Sequence, residues 1–120
     1  MMYESYNPET TNYYSCNGQH VHELIGSTDF SQECDQYHNH RFAAMSGEAI
    51  PSNGSHFHTV TFRTDTHEDH FHEFCGPSSL AIPTGDGRHV HFANGCTKSA
   101  DGHVHRVRVV SLINNPTDSF

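Results

Sequence analysis

The sequence predicts an all-β fold, either an antiparallel β-sandwich or a stack of repeated hairpins, with an extended N-terminal arm. Three observations point there. The pattern His-x-His recurs six times at intervals too short for helical crossovers. The residues around each copy are rich in Val, Phe and Thr and alternate with period two, as strands do. Glycine stands shortly before four of the copies, at Gly18, Gly54, Gly87 and Gly102, which reads as turn and then strand.

Taken in order, the pairs are His20-Val21-His22, His38-Asn39-His40, His56-Phe57-His58, His70-Phe71-His72, His89-Val90-His91 and His103-Val104-His105. They place strands over about 19–25, 36–44, 55–63, 69–75, 88–94 and 102–112. First histidines are separated by 18, 18, 14, 19 and 14 residues. Long linkers hold Ala-Ile-Pro followed by Gly, as at Ala49-Ile50-Pro51 and Ala81-Ile82-Pro83. Short ones, "TVTFRTDTHED" and "FANGCTKSADG", hold Asp and Thr, and "GSTDFSQECDQY" reads as a lengthened short one. The repeating unit is therefore 32–33 residues with two pairs each. Linkers this short fit antiparallel hairpins. The chain divides into a Tyr-bearing arm (1–17), a repeat domain (18–112) and a C-terminal tail (113–120).

Composition narrows the function. With 120 residues there is room for one domain and a modest core. Hydrophobic residues make up 33%, so something besides apolar burial must hold the interior. The formal charge is −8 with His neutral, which argues against nucleic acid as a partner. Protonating all thirteen histidines would carry it to +5. No apolar run is long enough for a membrane helix, so membrane insertion is not expected. The first residues lack the pattern of a signal peptide. Cys16, Cys34, Cys75 and Cys96 form no Cys-x-x-Cys and leave open disulfides, buried thiols or extra ligands.

In a strand, residues i and i+2 share a face. Both histidines of each pair thus point the same way, followed on that face by Leu24, Phe42, Val60, Phe74, Ala93 or Val107. The opposite face carries Glu23, Arg41, Glu73 and Arg106. The histidine face is therefore expected to turn inward. Buried imidazoles without partners are costly, roughly 1–3 kcal/mol each, and metal ions are the natural partner. The expected ligands are His20, His22, His38, His40, His56, His58, His70, His72, His89, His91, His103 and His105, with several ions in a row along the repeat. Copper is the expected ion, because imidazole suits it and Cu(II) heads the divalent affinity order; zinc and nickel are the alternatives. His67, outside any pair, is expected to be a loop residue.

The stretches "HVHELIGST", "HFHTVTF", "HFHEFCG", "AIPTGDGRHVHF" and "DGHVHRV" resemble the YmaF family of small bacterial proteins, over about residues 18–110. That resemblance implies a spore-forming bacterium and metal binding, and no particular activity. A second stretch, "HVHFANGCTKSADGHVH", looks like the copper-ligand segment of Cu/Zn superoxide dismutases at His89, His91, Gly95, Cys96, Thr97 and His103. No later copper segment or zinc loop accompanies it.

The reading is a non-enzymatic, histidine-array metal binder that self-assembles through its arm and sheet edges into an extracellular or spore-surface filament. A soluble metal buffer or chaperone and a superoxide dismutase-like redox enzyme are the alternatives.

Overall fold

The computed structural model describes residues 19–31 and 37–115. The N-terminal arm, most of the C-terminal tail, Cys16 and Cys34 lie outside the described residues. Among the described residues ten strands run in the order β1 (Glu23–Ser27), β2 (Arg41–Met45), β3 (Ile50–Ser52), β4 (Ser55–Phe57), β5 (Thr59–Arg63), β6 (Glu73–Pro77), β7 (Ile82–Pro83), β8 (His89–Val90), β9 (Phe92–Cys96) and β10 (Arg106–Val110). The described residues contain no helix.

Six of these strands are copies of one another. Each is five residues long and begins on the residue after the second histidine of a pair. They join as three antiparallel two-stranded sheets, β1–β2, β5–β6 and β9–β10. The register sets the head of one strand against the tail of the other, as in Glu23 opposite Met45 and Ser27 opposite Arg41. Each repeat unit is thus a hairpin with one histidine pair at either end. The expected strands exist, but their ladders start later than the alternation alone suggests. The second histidine of each pair stands just ahead of its five-residue ladder, and the histidine side chains converge inward.

The sheets close into a ring, with β2 beside β5, β6 beside β9 and β10 returning to β1. Two backbone hydrogen bonds span each junction. Asp29 N–H donates to the Arg106 carbonyl and Leu112 N–H to that of Glu23. Gly47 N–H donates to Thr59 and Asp65 N–H to Arg41, while Ser79 N–H donates to Phe92 and Lys98 N–H to Glu73. Instead of two facing sheets, three hairpins face a common axis.

The core fills the middle of the ring with Leu24, Phe42, Val60, Phe62, Phe74, Ala93, Val107 and Val109. These occupy the second and fourth positions after each second histidine, both on the inner face. Three phenylalanines stack, Phe42 on Phe62 at 4.1 Å and Phe62 on Phe74 at 5.1 Å between ring centroids. Small residues opposite make room for them. A Cβ on Gly26 would stand 3.0 Å from Phe42 Cζ, and one on Gly95 would stand 3.1 Å from a Phe74 ring carbon.

The linkers fold as tight hairpins of their own. The long ones form β3–β4 and β7–β8, with Pro51 paired to His56 and Pro83 to His89. Asn53 and Gly54 turn the first with φ of 49° and 75°, the left-handed pair that a two-residue hairpin loop requires. Two short linkers end in similar loops. Glu68 and Asp69 lie between bridged His67 and His70, and Asp101 and Gly102 lie between bridged Ala100 and His103.

Candidate metal centres

The antiparallel register sends successive histidine pairs to opposite ends of the ring. The first, third and fifth pairs meet at one end, where His20, His22, His56, His58, His89 and His91 each place a ring nitrogen within 4.8 Å of all the others. The second, fourth and sixth pairs meet at the other end. There His38, His40, His70, His103 and His105 satisfy the same limit, and His72 joins them with its Nε2 3.2 Å from that of His103. The described structure therefore holds two clusters rather than a row. Each draws one pair from every hairpin, and the apolar core lies between them. All twelve paired histidines expected as ligands fall in one cluster or the other.

The inward direction of the histidine face is as the sequence implies. The second histidines are among the most deeply buried side chains, with His22, His40, His58, His72, His91 and His105 all at 2% exposure or less. His67 sits outside, its ring stacked on His38 at 4.5 Å. The superoxide dismutase-like segment does not form one copper site. His89 and His91 enter the first cluster and His103 the second, because that segment crosses from one hairpin end to the other.

A repeated set of hydrogen bonds fixes each second histidine. Six residues after it stands Thr28, Ser46, Thr64, Ser78, Thr97 or Ser111, buried or nearly so at the far end of the strand. The backbone N–H of that hydroxyl residue donates to the carbonyl of the second histidine on the paired strand, at 2.7–2.9 Å in all six copies. The hydroxyl oxygen accepts the same histidine's backbone N–H at 2.9–3.0 Å. Five of the hydroxyls also donate to the carbonyl of the following residue. That following carbonyl in turn accepts the Nδ1–H of a second histidine from the adjacent hairpin, at 2.8–3.0 Å in all six copies.

These bonds decide the tautomer. A carbonyl only accepts, so each Nδ1 carries the proton, and in the neutral ring Nε2 is left as a bare lone pair. All six second histidines are thus oriented as metal ligands are, with an outer oxygen holding the far nitrogen. The Nε2 atoms crowd together. In the first cluster, His89 Nε2 lies 3.0 Å from that of His20 and 3.1 Å from those of His22 and His56, and His91 Nε2 lies 3.2 Å from that of His56. In the second, the Nε2 atoms of His40 and His70 are 3.3 Å apart. His58 Nε2 and His105 Nε2, one in each cluster, are buried with no hydrogen-bond partner. Facing lone pairs repel one another unless a ring proton or a cation lies between them, and six converging imidazole nitrogens are a donor set that fits a transition ion.

The electrostatics agree. Burial, with added repulsion from neighbouring histidines, holds the pKa of His22, His91 and His105 down to about 4 and that of His89 to about 3. Burial lowers His40, His56, His58 and His72 as well. These eight rings are therefore neutral, as ligands must be, at neutral pH. The second cluster also has carboxylates beside it. Asp65 Oδ1 lies 3.2 Å from His40 Nδ1, and Asp101 Oδ2 lies 3.7 Å from His70 Nδ1.

The supporting hydroxyls are the residues that reading the sequence for ligands misses. Their signal is nonetheless present, as His-x-His-x-apolar-x-x-x-Ser/Thr in all six copies. Threonine serves the second cluster and serine the first. The smaller serines leave a narrow gap under the first cluster, lined by Ser46, Ser78, Ser111 and the second histidines they support.

Among curated proteins and among solved structures, no match is found. A family model described as spore germination protein GerY/YamF matches residues 17–113. That span holds every histidine pair and every supporting hydroxyl, and the chain belongs to the YmaF family.

Proposed function

We propose that this protein is a non-enzymatic binder of two transition-metal ions per chain, one at each end of the ring. The observation that carries this reading is the convergence of Nε2 lone pairs whose Nδ1 protons are committed to backbone carbonyls. Copper, zinc and nickel all suit imidazole donors, and copper has the highest affinity in that order. The family description supports a setting in or on the spore, where bound ions are stored or kept from doing damage. Elemental analysis and native mass spectrometry of the full chain, after incubation with Cu(II), Zn(II) and Ni(II) in turn, test it. Two ions per chain are expected. A chain that takes up one ion or none from every metal would overturn the reading.

Self-assembly is a second reading, supported by apolar side chains on the outer face. Ile25 and Met45 are each 69% exposed, and Val110 is 53% exposed. Exposed apolar groups on short strands favour contact with another copy. Assembly through these faces and the N-terminal arm, into a filament outside the cell or on the spore, is tested by electron microscopy with and without residues 1–14. Equal assembly by both chains would remove the arm from the contact.

A further inference from the structure

We propose that each cluster is a six-coordinate, all-imidazole site of octahedral geometry, with no position left open. This rests on the metal-binding reading and says what kind of ion the sites select. Each cluster combines three first histidines with three second histidines, the second ones at 2% exposure or less. Neighbouring Nε2 atoms stand 3.0–3.3 Å apart. An octahedron with edges of that length has its centre about 2.2 Å from each vertex, close to an ordinary imidazole–metal bond of roughly 2.0–2.1 Å. Its longest diagonal is about 4.4 Å, within the 4.8 Å span that holds six nitrogens of the first cluster and five of the second, where His72 is the sixth through its 3.2 Å approach to His103. A tetrahedral ion would use four imidazoles and leave two of the converging rings outside its coordination.

The consequence is selection by coordination number. Zn(II) settles for four ligands and Cu(II) prefers a tetragonal set, whereas six equivalent nitrogens suit divalent nickel, cobalt or iron. Affinity order alone favours copper, but the geometry offers Ni(II), Co(II) and Fe(II) the better fit. A saturated ion also has no position for a substrate.

Co(II) reports its own coordination and is the probe for the test. The full chain, freed of metal, is titrated with Co(II) alone while electronic absorption and proton NMR are followed. Weak pink bands at two ions per chain are expected, with six strongly shifted ring N–H signals for each ion. His72→Ala should remove one of the shifted signals assigned to the second cluster, whereas His67→Ala should remove none. Intense blue bands with four shifted signals per ion would overturn six-coordination while leaving metal binding intact. An absence of Co(II), Ni(II), Cu(II) and Zn(II) uptake by a folded chain would instead overturn the functional reading and this inference with it.

Discussion

At the scale of the residue, the buried hydroxyls link packing to chemistry. Thr64 Oγ1 accepts the His72 backbone N–H at 3.0 Å and donates to the Asp65 carbonyl at 2.9 Å. That carbonyl accepts His40 Nδ1–H at 3.0 Å. One side chain thus ties a strand to its partner and aims a ligand from the next hairpin. Thr64→Val keeps the shape and removes the hydroxyl. It leaves a buried N–H without an acceptor, so a loss of about 1–3 kcal/mol is expected. Thr64→Ser should recover most of it. Denaturant midpoints of the three chains check this, and a valine variant as stable as the parent would mean that the hydroxyl is incidental. The inward histidine face was legible in the sequence because Leu24, Phe42, Val60, Phe74, Ala93 and Val107 follow at i+2. The hydroxyls were visible too, yet Ser and Thr after a strand read as ordinary turn residues, and only the burial of Thr28 at 3% or Ser111 at 5% reveals their role.

At the scale of the element, the hairpin explains why the histidine clusters are two. Its strands run in opposite directions, so the pair heading β5 and the pair heading β6 lie at opposite ends. At about 3.3 Å per residue, the strands set the clusters on the order of 20 Å apart. A row of ions was the natural extrapolation from the repeat alone. It fails because alternation of strand direction sorts the pairs by parity. The alternation also sets the strand onset too early, since period two continues through His20–His22 although the paired register begins at Glu23. Replacing both His56 and His58 by Ala should abolish one site and spare the other, which contains neither. Native mass spectrometry is expected to find one ion per chain. Loss of both ions from a chain whose circular dichroism is unchanged would mean that the clusters are not independent.

At the scale of the whole molecule, the interior is a sandwich of imidazole, hydrocarbon and imidazole. Stability should follow the protonation of the outer two layers. An unfolded histidine titrates near 6.5, whereas His22, His91 and His105 in the fold do so at about 4. The lowered value means that the fold favours the neutral ring. Above about pH 6.5 neither state is protonated and stability is full. As pH falls from there, the unfolded chain takes up protons that the folded one refuses, and stability is lost progressively down to about pH 4. Protons compete with bound metal over the same window. Denaturant midpoints of the metal-free chain should be level above pH 7 and decline steadily below 6.5. A midpoint that rises on acidification would show that these rings are not neutral in the fold.

The ring is closed between β10 and β1 by non-covalent contacts, the backbone hydrogen bonds of Asp29 to Arg106 and Leu112 to Glu23 and the Arg108–Asp29 ion pair. The other two junctions carry the same bonds with a linker added. Covalent continuity is therefore incidental to the architecture, which treats its three hairpins as interchangeable staves. A circular permutant opened at the Asn53–Gly54 turn, with the old ends joined, should build the same two clusters. The geometry of each cluster belongs to a symmetry, and the order in which the chain visits its hairpins is free to change.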